Sequence, residues 1–247
     1  MTALDRSAYE LEFDGSIESN WLPFYLPQWS SRHTSAARVS FDPLELRIDE
    51  DQAPWSLEYN GELRVSNLQT GVFSGEEGGG IGQHHFRDDL VVREFQPAER
   101  LYTPQYGLID ARVRASPDPN TMVALWLIGF ESDPAESGEL CVFEIFGREL
   151  SAERGVVGLG IHPFADPALV DDFVKLEIEG NLGDWHTYSV EWFPGISRFY
   201  VDDELVHESA QAPAYPVQLM LNIYEFEPGG EYPKRFAIDE LRGYRRI

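Results

Sequence analysis

Short runs of alternating apolar and polar residues recur along this chain, and they constrain its fold more than any other feature. Such runs lie at residues 44–48, 108–114, 174–178 and 186–192. This two-residue period is typical of β-strands, and 16 prolines and 21 glycines supply turns between the runs. No segment has the spacing of an ordinary amphipathic helix. The pattern predicts one all-β domain over residues 1–247, either a sandwich or a jelly roll.

A hairpin is predicted over residues 198–208 (RFYVDDELVHE). Asp202 and Asp203 stand between its two alternating arms. Aspartate tolerates a positive φ better than most residues, so this pair is expected to form the turn.

The chain is strongly acidic, with 43 Asp and Glu residues, 19 Lys and Arg residues and a formal net charge of -24. This negative field repels nucleic-acid phosphates and anionic membrane surfaces, so no nucleic acid and no membrane partner is expected. It also disfavours a sulfated or uronic-acid polymer, although salt screens the field beyond roughly 8 Å. A neutral ligand fits the charge best, and we expect the chain to be a monomer.

Cys141 is the only cysteine, which excludes an intrachain disulfide and a cysteine-based zinc site. Residues 1–13 (MTALDRSAYELEF) lack the apolar core of a signal peptide. No run approaches the roughly 18 apolar residues that are needed to span a bilayer. The sequence as written therefore predicts a cytoplasmic protein, and the alternative is a secreted one whose leader or export route the sequence does not reveal.

Two glutamates interrupt the otherwise apolar run at residues 138–147 (GELCVFEIFG). An ionised carboxylate in a buried strand is costly unless it is paired or solvated, so Glu139 and Glu144 suggest a strand that lines a cleft. Strict alternation places them on opposite faces. A β-bulge at residues 142–143 would bring both to one face, roughly 13 Å apart along the backbone. The alternative is a half-exposed strand with both carboxylates in solvent.

The pattern Glu139-x-Cys141-x-x-Glu144 resembles the E-x-D-x-x-E signature of glycoside hydrolase family 16, which includes laminarinases, lichenases, agarases and carrageenases. Further segments resemble strands of that family in the same order. They are TPQYGLIDAR (103–112), MVALWLI (122–128), DWHTYSVEW (184–192), ISRFYVDDELV (196–206), PVQLMLN (216–222) and AIDELRGY (237–244). The resemblance implies a concanavalin A-like jelly-roll β-sandwich of two antiparallel sheets, with a carbohydrate-binding groove on the concave sheet.

The resemblance also implies catalytic roles for the two glutamates. Glu139 matches the nucleophile and Glu144 the general acid/base, while Cys141 stands where the family has the Asp that supports the nucleophile. A thiol is a weak donor and mostly neutral at pH 7, so the substitution implies altered support or lost activity. A thiol hydrolase is a weaker alternative, because none of the six histidines has a spacing that marks it as a base.

Four residues are predicted to bind substrate. Trp126 lies in the family's cleft-lining segment, where an indole would stack on a sugar, and core packing is the alternative. His84 and His85 cannot both face the same way on a strand, and we assign His84 to the groove. Asn222 and Tyr224 occupy alternate positions on a closing strand and would present polar groups there.

A structural calcium is the one metal that the resemblance implies. Many family members hold it on the outer sheet with main-chain oxygens and an Asp of the last strand, and Asp239 matches that Asp. No cofactor is expected to be required for the chemistry.

Two functions therefore stand at this stage. The first is a retaining, endo-β-glucanase-like glycosidase that hydrolyses a neutral β-linked polysaccharide or oligosaccharide. The second is a non-catalytic carbohydrate-binding protein on the same scaffold, because a fold alone does not fix a function.

Overall fold

A computed structural model describes residues 4–247, which form sixteen β-strands, one α-helix of a single turn and four 3-10 turns. The strands are β1 (Tyr9–Asp14), β2 (Arg38–Phe41), β3 (Leu44–Ile48), β4 (Arg64–Gln69), β5 (Gly71–Val72), β6 (Glu99–Arg100), β7 (Gly107–Arg114), β8 (Thr121–Gly129), β9 (Glu139–Phe146), β10 (Arg154–His162), β11 (Asp172–Glu179), β12 (His186–Phe193), β13 (Ile196–Val201), β14 (Glu204–Ser209), β15 (Val217–Glu225) and β16 (Lys234–Arg246). The helix is α1 (Leu57–Asn60), and the 3-10 turns are Arg6–Ala8, Glu18–Asn20, Pro27–Trp29 and Gly147–Glu149.

Two large antiparallel sheets make up the sandwich, so the predicted fold class is confirmed. The inner sheet has the order β11-β10-β9-β8-β15-β4. The outer sheet has the order β14-β13-β12-β7-β16-β3-β2, with β1 added along β16, and β5 pairs with β6 in a small ribbon. The predicted hairpin is β13–β14, and Asp202 and Asp203 turn it with φ values of 48° and 68°. No helix within residues 4–247 is long and apolar enough to cross a membrane.

Alternation along the inner strands explains why this sheet has two differently occupied faces. On β8, Val123, Leu125 and Leu127 pack into the core between the sheets, whereas Ala124 and Trp126 belong to a second buried cluster on the other face. Strand β15 divides in the same way. Burying one aliphatic side chain of this kind stabilises the fold by roughly 1.5–3 kcal/mol, so the alternation fixes which face turns inward.

The segment that precedes β2 folds over the second face of the inner sheet. The indole of Trp55 donates to the carbonyl of Tyr25 at 2.8 Å, and that of Trp29 donates to the carbonyl of Gln83 at 2.9 Å. Tyr25 packs edge-on against Tyr224 of β15, with ring centroids 5.6 Å apart. These aromatic groups cover part of the face, and the part that stays open lies over β8, β9 and β10.

Candidate active site

A β-bulge in β9 brings the two glutamates to the same face of the inner sheet. Glu139 pairs with Ile128 and Glu144 pairs with Ala124, which are four positions apart on β8, so five steps on β9 match four on its neighbour. The extra residue lies between Cys141 and Phe143, and the register with β10 shifts at the same place. Residues that are an even number of steps apart on a strand lie on the same face, so the partners of Ile128 and Ala124 both lie on one face of the sheet. Four steps correspond to about 13 Å of backbone. The bulge predicted at residues 142–143 is therefore present.

The two carboxyl groups line one cleft of about 170 Å³. Its lining residues are His84, Met122, Ala124, Trp126, Glu139, Cys141, Glu144, His162 and Tyr224. Glu139 is 7% exposed, whereas Glu144 is only partly buried. The alternative in which both carboxylates lie in solvent is therefore wrong.

Two larger hollows adjoin the cleft at opposite ends and extend it into a groove. The first, here called the Glu131 lobe, has a volume of about 490 Å³, shares His84 with the cleft and lies beside Ile128, the β8 partner of Glu139. The second, the Phe146 lobe, has about 440 Å³ and shares Met122, Glu144 and Tyr224 with the cleft. Cavities of this size are typical of small-molecule sites, so the groove has room on both sides of the carboxyl pair.

Burial and mutual repulsion disfavour two negative charges in the cleft. Burial, together with the charges of Glu144 and Glu131, raises the pKa of Glu139 to about 8. Burial also raises the pKa of Glu144, against the lowering effect of Lys175 and His162. Because the two groups interact, their titration steps belong to the pair, and the raised pKa values favour a state in which at least one carboxyl keeps its proton at neutral pH. Retaining glycosidases use one carboxylate and one carboxylic acid in such a pair.

The family assignment follows from the sequence match. The model described as glycosyl hydrolases family 16 matches residues 99–230, which include β7 to β15 and both glutamates. The chain belongs to this family. Glycosyl hydrolases act on glycosidic bonds, so a carbohydrate is the substrate class of the family 16 fold. No curated protein sequence matches the chain.

Solved structures show the same fold at low sequence identity. The GlcNAcα1-4Gal-releasing endo-β-galactosidase of Clostridium perfringens is similar with a TM-score of 0.84 and 23% identity over 100% of this chain; the match spans 65% of that chain. The laminarinase of Rhodothermus marinus is similar with a TM-score of 0.62 and 18% identity; the match covers 97% of this chain and 98% of that chain. The endo-1,3-β-glucanase catalytic domain of Thermotoga petrophila is similar with a TM-score of 0.62 and 15% identity; the match covers 96% of this chain and 98% of that chain. At these identities the likeness shows the fold.

Cys141 departs from the family pattern at the centre of the cleft. Its thiol is buried, and burial together with the charges of Glu139 and Glu144 raises its pKa well above the usual value. Sγ donates a weak hydrogen bond to the carbonyl oxygen of Gly158 at 4.0 Å. Such a thiol stays neutral and directs its weak hydrogen bond to Gly158, and a neutral thiol is a poor nucleophile. This environment disfavours the thiol-hydrolase alternative.

Three of the four predicted substrate-binding residues lie in the cleft. Trp126 and Tyr224 form part of its floor and are 5% and 7% exposed, and both also pack into the second buried cluster on this face of the sheet. The ring of His84 lies 5.0 Å from that of Trp126 and covers part of the indole. Burial, with a smaller effect of His162, lowers the pKa of His84 to about 4, which keeps this imidazole neutral at neutral pH.

Asn222 is the exception and requires a correction. It points to the same face as Tyr224 but is fully buried, and its side-chain amide donates to Oδ1 of Asn67 on β4 at 3.2 Å. The amide of Asn67 in turn donates to the carbonyl of Phe24, in the segment that folds over the sheet. Asn222 therefore ties that segment down through Asn67 and does not line the groove.

Two residues of the groove were missed by the sequence analysis. Glu131 is 5% exposed, accepts a hydrogen bond from the backbone N–H of His84 at 2.7 Å, and has a pKa that burial raises to about 8. His162 pairs with Glu139 across β9 and β10. Glu131 follows the end of β8 with a positive φ of 57°, a turn conformation that a two-residue period does not reveal.

The calcium expected at Asp239 does not fit the residues present. Asp239 is exposed on the outer sheet and forms an ion pair with Arg112 of β7, so a guanidinium already neutralises the carboxylate. No group of three or more His, Cys, Asp or Glu side chains within residues 4–247 is arranged to hold a metal ion. A calcium site needs several oxygen ligands, and a cation beside Arg112 would meet like charge.

Proposed function

We propose that this chain is a retaining endo-glycosidase that cleaves β-linkages within a neutral glycan. The observation that carries the proposal is the bulge in β9, which places Glu139 and Glu144 in one cleft although their spacing in sequence is odd. The membership of family 16 and the groove on both sides of the pair support it.

In the proposed mechanism, Glu139 attacks the anomeric carbon and Glu144 protonates the oxygen of the leaving sugar. Glu144 then removes a proton from water, which hydrolyses the glycosyl-enzyme with overall retention. The lower exposure of Glu139 suits a group that must contact the reacting carbon, whereas the partly exposed Glu144 can exchange its proton with water. The leaving part of the glycan would then occupy the Phe146 lobe, on the Glu144 side.

The Phe146 lobe carries aromatic rings suited to a sugar. The rings of Phe146 and Phe226 lie 5.9 Å apart and are tilted by only 17°, and Tyr224 continues the stack at 6.3 Å from Phe226. Parallel aromatic faces bind the apolar faces of sugar rings and need no charge on the ligand. Together with the net charge of -24, they support a neutral substrate.

The sugar identity has two candidates. A β-glucan is the first, as for the similar laminarinases. A β-galactoside glycan is the second, because the similar endo-β-galactosidase has the higher TM-score of 0.84. The non-catalytic alternative rests on Cys141, whose neutral thiol leaves Glu139 without the acid that the family pattern supplies.

Reducing-sugar release separates these proposals. The full chain is incubated with laminarin and lichenan as β-glucans, with agarose and carrageenan as galactans, and with a β-galactoside glycan that carries GlcNAcα1-4Gal. Release from one class, with the β-anomer appearing first by NMR, supports a retaining glycosidase of that specificity. Binding without release, measured by affinity electrophoresis, supports the binding protein and contradicts the enzyme.

The carboxyl pair also predicts a pH profile. The active form has one proton on the pair, so kcat/KM falls at low pH when both groups are protonated and at high pH when neither is. Because the pKa of Glu144 is raised above its usual value and that of Glu139 to about 8, both limbs lie at higher pH than for free glutamates. We expect an optimum near neutral pH and an alkaline limb near 8. A profile that peaks below pH 4.5 would contradict this state of the pair.

A further inference from the structure

His162 lies beside both carboxyl groups of the cleft and has no role in the mechanism described so far. It ends β10 as the direct partner of Glu139. Side chains opposite each other on antiparallel strands have Cβ atoms about 4.5–5.5 Å apart. His162 lines the same cleft as Glu144, and the next two β10 positions on this face are Gly160 and Gly158. The ring of Phe173 on β11 lies over Gly158, where a larger side chain would clash with it, and packs between the strand and the imidazole.

Asp171 holds the imidazole in place. Nδ1 of His162 lies 2.9 Å from Oδ1 of Asp171, and the ring stacks on Phe173 of β11 with centroids 4.5 Å apart. A carboxylate on Nδ1 fixes the orientation of the imidazole ring. The other ring nitrogen, Nε2, is then the one left to act in the cleft.

The charges around His162 are mostly negative. The titratable groups that face it are Glu139, Cys141 and Glu144 on β9, Asp171 before β11, Lys175 on β11, and His84 in the loop that covers the groove. Nζ of Lys175 lies 3.6 Å from Oε1 of Glu149, so this carboxylate partly compensates the positive charge of Lys175. His162 and Lys175 are the two cations that lower the pKa of Glu144. Cys141, between the two glutamates, contributes no acidic proton.

We propose that His162, oriented by Asp171, is a positioning residue that keeps one carboxyl of the Glu139–Glu144 pair ionised. It would supply from the neighbouring strand the support that the family pattern places at position 141. This inference rests on the proposed glycosidase activity. It explains how a chain with a thiol at that position keeps the mixed state of the pair, with one proton on two carboxyl groups.

Four variants of the full chain test the proposal: His162→Gln, Asp171→Asn, Cys141→Asp and the double variant Cys141→Asp/His162→Gln. Removing a nearby positive charge raises the pKa of a carboxyl group by about one unit or more. We therefore expect His162→Gln to move the acid limb of kcat/KM upward by at least about one pH unit, a loss of about tenfold or more on that limb. Asp171→Asn should shift it in the same direction by less, and Cys141→Asp alone should preserve or raise activity.

Rescue is the decisive readout. If His162 performs the task of the missing acid, the double variant regains the activity and the acid limb that His162→Gln loses. His186→Gln is the matched control, because His186 also contacts an aspartate, Asp202 at 2.7 Å, but on the outer sheet. It should leave the profile unchanged. An unchanged acid limb in His162→Gln, or losses that simply add in the double variant, would overturn the proposal.

A measurement without substrate separates this inference from the proposed function. The side-chain carboxyl resonance of Glu144 is titrated by NMR in the full chain and in His162→Gln. Because His162 lowers the pKa of Glu144, we expect the Glu144 midpoint to rise by about half a pH unit or more in the variant. That shift with no turnover on any glycan would refute the glycosidase and keep the electrostatic contact. Turnover with no shift would refute the role of His162 alone.

Discussion

Replacing Glu144 by alanine should strongly slow hydrolysis of unactivated glycans while leaving the first chemical step possible on activated ones. A positioned general acid contributes about 10²–10⁴-fold to rate, so kcat on the natural linkage should fall by about that factor. An aryl glycoside with a strongly acidic phenol leaves without protonation. With such a substrate, Glu144→Ala should accumulate the glycosyl-enzyme, and added azide should release it as the β-glycosyl azide.

Replacing Glu139 by alanine should give the opposite product. Without the nucleophile no glycosyl-enzyme forms, and azide that enters the vacated space attacks the activated β-glycoside directly to give the α-glycosyl azide. The product configurations, read by NMR, thus assign each glutamate its role. If the two configurations were exchanged between the variants, Glu139 would be the general acid/base and Glu144 the nucleophile. The raised pKa of Glu139, about 8, would also suit a general acid.

A surface glutamate provides the control for both variants. Glu177 is exposed on β11 and ion-paired with Arg154 at 3.2 Å. Glu177→Ala should keep full activity and give no azide product. If Glu139→Ala and Glu144→Ala behave like this control, the cleft is not the catalytic site.

The sequence revealed the strands and the carboxyl pair because both depend on local pattern. Alternation at residues 108–114 and 186–192 became β7 and β12 within a residue. The spacing of Glu139 and Glu144 required an extra residue on β9, and the structure has it between Cys141 and Phe143. Local chemistry also located the hairpin turn, because Asp202 and Asp203 tolerate a positive φ.

The other groove residues depend on contacts between distant parts of the chain, which period and spacing do not encode. Asn222 lies on the expected face of β15, but its amide donates to Asn67, which in turn donates to Phe24 of the segment that covers this face. Asp239 lies at the expected position on the outer sheet, but its carboxylate forms an ion pair with Arg112 on the neighbouring strand. His162 and Glu131 were missed because they enter the groove from the end of β10 and from a turn after β8. Strand register and loop conformation decide these cases.

The same burial that tunes the pair should cost stability, which leads to a second large effect. The unfolded chain ionises Glu139 near the usual pKa of 4.5, whereas the folded chain ionises it near 8. Folding therefore favours the neutral form, so the contribution of Glu139 to stability is complete below pH 4.5 and is lost as pH rises to 8. This difference in pKa between the unfolded and the folded chain corresponds to a loss of at most about 5 kcal/mol in the free energy of unfolding as the pH rises.

Glu139→Gln should consequently be more stable than the original chain at alkaline pH, although the proposed mechanism predicts that it is inactive. Glutamine keeps the shape and carries no charge, so its free energy of unfolding should exceed that of the original chain by up to about 5 kcal/mol at pH 9 and match it near pH 4. Urea unfolding followed by tryptophan fluorescence at both pH values measures the difference. Glu144→Gln is the matched comparison and should gain less, because Glu144 is less buried and is offset by Lys175 and His162. A Glu139→Gln chain that is less stable than the original chain at pH 9 would contradict this prediction. It would show that the fold stabilises the ionised carboxylate of Glu139, and that the cleft keeps Glu139 ionised without a second group.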